Sequence, residues 1–404
     1  MTRVTLVLNE HGATSETFQR TLARTLADGG YDVTVHALRG PVPADPSPHP
    51  RVRATTASVG GTHRLAQARA ALAGGVGEVA HVARLARQHF GWTDRAARAV
   101  ADAAPLLATR PDIIHVGFSG IGVALEDVWP LAGDVPLVTS CRGSAELVQP
   151  LLDPARGPAL GRFFARTTVV HVVAQAVGDA VVALGADPDR VRVVRPAVDL
   201  ARWPVRIAPD RSGPLRLVSV GRLVPAKGLD DLLAAVAALR ASGVDATLTV
   251  IGDGPHRDAL LLRTDRSGLA GAVELVGSRT PDEVAAALAE AHLLVSPSWS
   301  EGINNGVLEA MASGVPVVST AVGGMGEVIT DGVDGWLVGA GRPDELAAAI
   351  GRAWADPAQL DAVAANGRAR IEAEFGLTRQ SAEWLAIYGG LSGGATQVHE
   401  ESTS

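Results

Sequence analysis

Two carboxylates eight residues apart, Glu301 and Glu309, and two cations five apart, Arg222 and Lys227, are the groups in this chain best spaced for chemistry. Glu301 follows an apolar strand end (Leu293, Leu294, Val295) and a short turn through Pro297 and Ser298. Glu309 lies in a helix that opens near Asn304 or Asn305, carries Met311 and Ala312, and stops at Gly314 and Pro316 before an apolar strand at 315–319. The carboxylates therefore bracket a helix N-terminus, where unpaired N–H groups and the positive dipole end attract an anion. An anion seat beside two carboxylates suits a ligand that is both phosphate and sugar. The bland alternative is an ordinary strand–helix–strand unit with surface glutamates.

Arg222 and Lys227 share one loop after a strand, with Gly221 and Gly228 at its ends. Glycines let the backbone approach a ligand closely, and two cations suit a diphosphate that gains charge as it leaves. Lys227 is the single lysine beside 35 arginines. A lysine kept where arginine is the general cation marks a site that fits a compact ammonium and not a guanidinium fork. The loop is not a Gly-x-x-x-x-Gly-Lys-Ser/Thr phosphate loop, and Gly12 belongs to no Gly-x-Gly-x-x-Gly fingerprint. No Cys/His cluster has metal-ligand spacing, and no Gly-x-Ser-x-Gly elbow signals a serine nucleophile. His115 closes the strand 113–116 ahead of Gly117, Ser119, Gly120 and Gly122, a position open to a ligand although a strand-end histidine is more often structural. Arg142, after the strand 137–140, is a candidate for a phosphate or a negatively charged acceptor.

The elements that must position these groups alternate strand and helix. Strands are expected at 4–8, 33–38, 51–58, 113–116, 137–140, 169–174 and 191–194, with a helix from Ser15 and Glu16 to Leu26 between the first two. Ala-Arg-rich helical sequence fills 62–110, broken at Gly74-Gly75 and Gly91. Its arginines at 64, 69, 84, 87, 95 and 98 could face a membrane or an acceptor, but the apolar side is mostly alanine and favours a solvated face over a sheet. Four prolines between Pro196 and Pro214 mark a linker. The pattern then restarts, with strands at 215–220, 246–251, 273–276 and 293–295, and helices at 229–239, 281–291, 344–375 and 377–388. Asp230-Asp231 is a helix start. The Gly-, Ser- and Thr-rich tail 389–404 is expected to be disordered.

A chain of 404 residues, 47% hydrophobic and 20% charged, holds two well-cored α/β domains. Net charge is −7, and neither half is basic enough for nucleic acid. The lone Cys141 excludes an internal disulfide framework and fits a reducing, cytoplasmic compartment. No apolar run reaches the roughly 18 residues of a spanning helix.

Together, Gly221-Arg222-Leu223 with Lys227-Gly228, Gly252-Asp253-Gly254-Pro255, Glu301-Gly302 with Glu309-Ala310-Met311-Ala312-Ser313-Gly314, and Gly323-Gly324 with Glu327 resemble the donor domain of retaining family-four glycosyltransferases of the GT-B fold. Ser15-Glu16-Thr17-Phe18 and Cys141-Arg142-Gly143-Ser144 resemble the branch that contains exopolysaccharide (colanic-acid-type) transferases. The resemblance implies two doubly wound Rossmann-like domains facing a cleft, at 1–195 and 215–375, with the helix at 376–388 crossing back to the first domain. It implies that Arg222 and Lys227 hold the donor diphosphate and that Gly221 and Gly277 approach the donor. Glu301 would meet the sugar hydroxyls, the backbone of Gly302, Ile303, Asn304 and Asn305 the sugar and phosphate, and Glu309 the ribose. Gly12 would meet the donor phosphates. The family transfers sugar from a nucleotide, UDP most often, with retention, without a metal or other cofactor, the leaving phosphate assisting the acceptor hydroxyl. The acceptor is a glycan, a lipid-linked sugar or a small metabolite.

Two departures stand out. Where the family often has His-x-His, this chain has His115-Val116-Gly117, and where many members have His-Gly it has Arg142-Gly143. His115 is a catalytic candidate by position only. A catalytically silent GT-B partner, and a GT-B epimerase or a transferase forming a non-glycosidic bond, are the competing functions. Intact Arg222, Lys227, Glu301 and Glu309 oppose the silent one.

Overall fold

The computed structural model describes residues 1–10, 17–40, 49–56 and 76–397. The chain divides into two compact units, Met1–Val194 with Ser381–Ser404, and Arg195–Gln380. Gly12, the expected helix start at Ser15 and Glu16, Arg64, Arg69 and Gly74-Gly75 lie outside the described residues.

The first unit holds a parallel sheet of β1 (Arg3–Glu10), β2 (Asp32–Arg39), β3 (Val52–Thr56), β4 (Ile113–Val116), β5 (Leu137–Cys141), β6 (Val169–Val172) and β7 (Val191–Val193) in the order β3-β2-β1-β4-β5-β6-β7. Five consecutive residues of β1 are buried, as expected of a strand covered on both faces. The helix Thr17–Asp28 turns Leu22, Ala23, Leu26 and Ala27 inward, an i, i+1, i+4, i+5 stripe against Val4, Leu6 and Val33.

The second unit repeats the plan with β8 (Leu215–Val220), β9 (Ala246–Ile251), β10 (Val273–Gly277), β11 (Leu293–Ser296), β12 (Val317–Thr320) and β13 (Trp336–Val338), ordered β10-β9-β8-β11-β12-β13. Leu232, Leu233, Val236 and Leu239 of the helix Leu229–Ala241 seal this sheet. In both sheets the strand order reverses beside the first strand, between β1 and β4 and between β8 and β11. Ligands of doubly wound sheets lie outside the strand carboxyl ends at such a reversal.

Four expectations are corrected. β13 went unread, because three residues between glycines carry too little alternation to signal a strand. The single helix at 344–375 is two, Pro343–Ala355 and Pro357–Glu374, broken where Asp356 caps the second by accepting from the Gln359 N–H at 3.0 Å. The linker residues after 195 pack on the second unit: Val198 and Trp203 are buried, and Arg206 caps the carbonyls of Leu288 at 3.1 Å and Gly314 at 3.3 Å. The last helix does not stop near Tyr388 but runs from Leu377 to Gln397, and from Ser381 its residues group with the first unit. Leu385, Ile387 and Leu391 packing on the first core outweigh the glycine-rich composition there. No helix among the described residues is long and apolar enough to cross a membrane.

Candidate functional site

At the reversal of the second sheet, the loops after β8 and β11 face each other. Lys227 Nζ donates to Glu301 Oε1, and both side chains are largely buried. The same oxygen accepts from Ser298 Oγ at 2.7 Å and Asn304 Nδ2 at 3.3 Å. Asn304 also caps the helix Asn305–Ala312, its Oδ1 accepting from the Gly306 N–H at 2.9 Å while Nδ2 reaches Ser296 Oγ at 2.9 Å. One asparagine thus ties the helix start, the end of β11 and the acidic turn together. Gly302 and Ile303 are buried, whereas Asn305 is exposed at the first turn.

Backbone stitches hold these loops. Gly221 N–H donates to Ile251 O at 2.9 Å, Gly252 N–H to Gly277 O at 3.0 Å, Trp299 N–H to Ala226 O at 2.8 Å and Gly324 N–H to Gly302 O at 2.7 Å. Gly228, at φ +62°, passes so close to the loop after β11 that a Cβ there would lie 2.0 Å from Pro297 O. A depression lined by Gly221, Arg222, Lys227, Ser298 and Asn304, among others, opens above the strand ends. Arg222 is exposed at its rim, and its guanidinium makes no hydrogen bond or ion pair among the described residues. Glu309 sits one turn into the helix, partly buried, and its carboxylate has no hydrogen-bond or ion-pair partner among the described residues. Burial pushes its pKa up to about 7, against the opposing charge of Arg202.

In the first unit the catalytic expectation for His115 is corrected. Its ring is fully buried, with Nδ1 2.7 Å from Tyr388 Oη and Nε2 2.8 Å from Ser140 Oγ. Ser140 Oγ lies 2.8 Å from His171 Nδ1, and His171 Nε2 is 2.9 Å from Val194 O. Burial holds both imidazoles down to about 3, so His115 is a neutral member of a core relay. Arg142 is partly accessible, its guanidinium carbon 4.0 Å from the Phe18 ring centroid.

Residues 15–202 match the family described as Glycosyltransferase Family 4, and residues 214–356 the one described as Glycosyl transferases group 1. The chain is a glycosyltransferase built of a family-four domain followed by a group-1 domain. It is 28% identical over 368 residues to a glycogen synthase of Mycobacterium tuberculosis, covering 88% of this chain and 85% of that protein. It is 30% identical over 238 residues to a putative colanic acid biosynthesis glycosyltransferase, WcaL, of Salmonella typhimurium, covering 56% and 59%. In fold it resembles sucrose-phosphate synthase from Thermosynechococcus elongatus (TM-score 0.77, 19% identity, 98% and 100% covered) and HepE of Anabaena in complex with UDP-glucose (0.72, 18%, 96% and 99%). The two Rossmann-like units are those of a GT-B glycosyltransferase.

The transferase brings together Arg222, Lys227, Glu301 and Asn304 within one set of stitched loops, with Gly221 and Gly277 at the strand ends behind them. His115 and Arg142 belong to the other unit. Sequence reasoning gave Lys227 and Glu301 separate tasks; the structure pairs them. It passed over Ser298, whose hydroxyl three residues before Glu301 is the signal that was there to read. Glu146 was also missed. It is buried, accepts from Ser119 Oγ and from the Gly143 N–H at 3.0 Å, and is raised in pKa by burial. A Glu three residues after a glycine that opens a helical turn is the capping pattern that marks it.

Proposed function

We propose that this glycosyltransferase moves a sugar from a nucleotide donor, UDP favoured, to an acceptor hydroxyl with retention and without a metal. The observation that carries this reading is the Lys227–Glu301 pair beside unpartnered Arg222 at the sheet reversal. A donor diphosphate binds Arg222 and draws Lys227 from Glu301. The freed Glu301 carboxylate then accepts from sugar hydroxyls, while Glu309 accepts from the ribose. The bond from the anomeric carbon to the diphosphate oxygen breaks as that carbon bonds the acceptor oxygen on the same face. The acceptor proton passes to the departing phosphate, whose charge the two cations stabilise. The UDP-glucose bound by HepE supports this donor class. The single buried thiol, Cys141, supports a reducing cytoplasmic setting.

The test is a panel of UDP-, GDP- and dTDP-sugars, read by donor binding and slow donor hydrolysis, with and without EDTA. Hydrolysis of a UDP-sugar that survives EDTA and falls about 100-fold or more in Lys227→Ala is expected. Failure to bind any of the donors sinks the reading. Loss of turnover in EDTA overturns metal independence, and an inverted product anomer by NMR overturns retention.

A further inference from the structure

The carboxyl ends of β1, β4 and β5 gather side chains that donor chemistry leaves unused. The Arg142 guanidinium stacks on Phe18, and Phe18 meets Phe118 edge-on with centroids 5.4 Å apart. Stacking holds the guanidinium plane but leaves its N–H edges free. They make no hydrogen bond or ion pair among the described residues. Glu146, whose charge Arg142 feels, gives its oxygens to Ser119 and Gly143 instead. A largely desolvated cation with no anion hydrogen-bonded to it among the described residues is costly to keep.

The next residue supplies a separate observation. Gln19 is 1% exposed, and neither its amide oxygen nor its amide nitrogen has a hydrogen-bond partner among the described residues. The amide lies against Gly117, where an added Cβ would come within 2.6 Å of Nε2. It thus fills the room that a side chain at 117 would take. Interiors rarely leave two such atoms unmet. Both features lie beside the β1/β4 reversal, where Gly117 N–H donates to Val7 O at 2.9 Å. That is the ligand position of such a sheet.

We propose that this crevice receives the acceptor and selects one bearing an anionic group, a carboxylate or a phosphate, held by Arg142 while Gln19 bonds a neighbouring hydroxyl. The inference rests on the reading of the protein as a transferase to a hydroxyl, and it names the class of substrate. Arg142 offers a two-pronged donor edge that carboxylate and phosphate both match, and a neutral sugar would leave it unpaired.

The test titrates the full chain with sodium glucuronate, glucose 6-phosphate and glucose, following the Arg142 Nε–H signal by NMR. Sodium chloride controls for ionic strength. The signal moves saturably with glucuronate or with the sugar phosphate and stays put with glucose; whichever acts at the lower concentration separates carboxylate from phosphate. No movement with either anion at concentrations on the order of 10 mM overturns the proposal, as does equal movement with glucose. Gln19→Leu, which removes two unmet polar atoms, raises the melting temperature while weakening the anionic sugar about tenfold. Unchanged affinity in that variant overturns the part given to Gln19. UDP-sugar binding is read in the same samples. Its failure sinks the donor reading without touching the Arg142 signal, and a silent Arg142 with intact donor binding sinks this inference alone.

Discussion

Glu309, proposed to accept from the ribose, is a helix position where donor binding and pH would meet. Its carboxyl, pushed up to about 7 by burial, is about half protonated at neutrality, where the unfolded chain has released the proton. The stability this gives is complete below the ordinary glutamate value, about 4.3, and is lost as pH rises to about 7. A ribose hydroxyl donates best to the ionised form. UDP binding should therefore strengthen between pH 6 and 8 with release of a proton. Calorimetry in buffers of different ionisation enthalpy measures that release. Glu309→Gln should bind more weakly at pH 8 and lose the pH dependence; an unchanged slope in this variant assigns the proton to another group.

At the scale of elements, the acidic turn is held in place by the next strand's loop. Gly323, after β12, has φ +53°, and a Cβ on it would lie 1.7 Å from Glu301 O. The Gly324 N–H to Gly302 O bond and the Thr320 Oγ1 to Ser298 O bond at 2.5 Å complete the clamp. Gly323→Ala must push the Glu301 turn aside, so donor hydrolysis should fall about 100-fold while the fold survives, since a displacement of about 1 Å suffices. Gly326→Ala, three residues on and facing open space, is the control and should leave the rate unchanged. Equal rates in the two variants would show that the clamp does not position Glu301.

For the molecule as a whole, the last helix supplies core to the first unit. Trp384 and Tyr388 join the cluster of Val4, Leu6 and Ile113, and the Tyr388 hydroxyl ends the His115–Ser140–His171 relay. Both imidazoles are held down to about 3, below the ordinary histidine value of about 6.5. The stability they contribute is present above about 6.5 and is lost as pH falls toward 3, because the unfolded chain takes protons that the folded one refuses. Urea unfolding at pH 7 and pH 5 should show this loss, and it should shrink in His171→Gln. Tyr388→Phe leaves a buried ring nitrogen unpaired and should cost about 1–3 kcal/mol at pH 7. No cost there would mean that water replaces the hydroxyl.

The chain's own pattern determined that there are two α/β units, that Arg222, Lys227 and Glu301 lie in loops after strands, and that Glu309 lies in the helix that follows. Apolar runs, glycine turns and helix caps act between near neighbours, and near neighbours are visible along a sequence. Lys227 with Glu301, His115 with Tyr388, and Gln19 with Gly117 stand 74, 273 and 98 positions apart. Only the packing of two sheets decided those meetings. It also decided that the strand-end histidine is a buried relay member, and that Arg142, a candidate for a phosphate or a negatively charged acceptor by its place after a strand, stacks on Phe18 with its donor edge unpaired among the described residues. Burial and partnership set what a side chain can do, and both are properties of the folded chain.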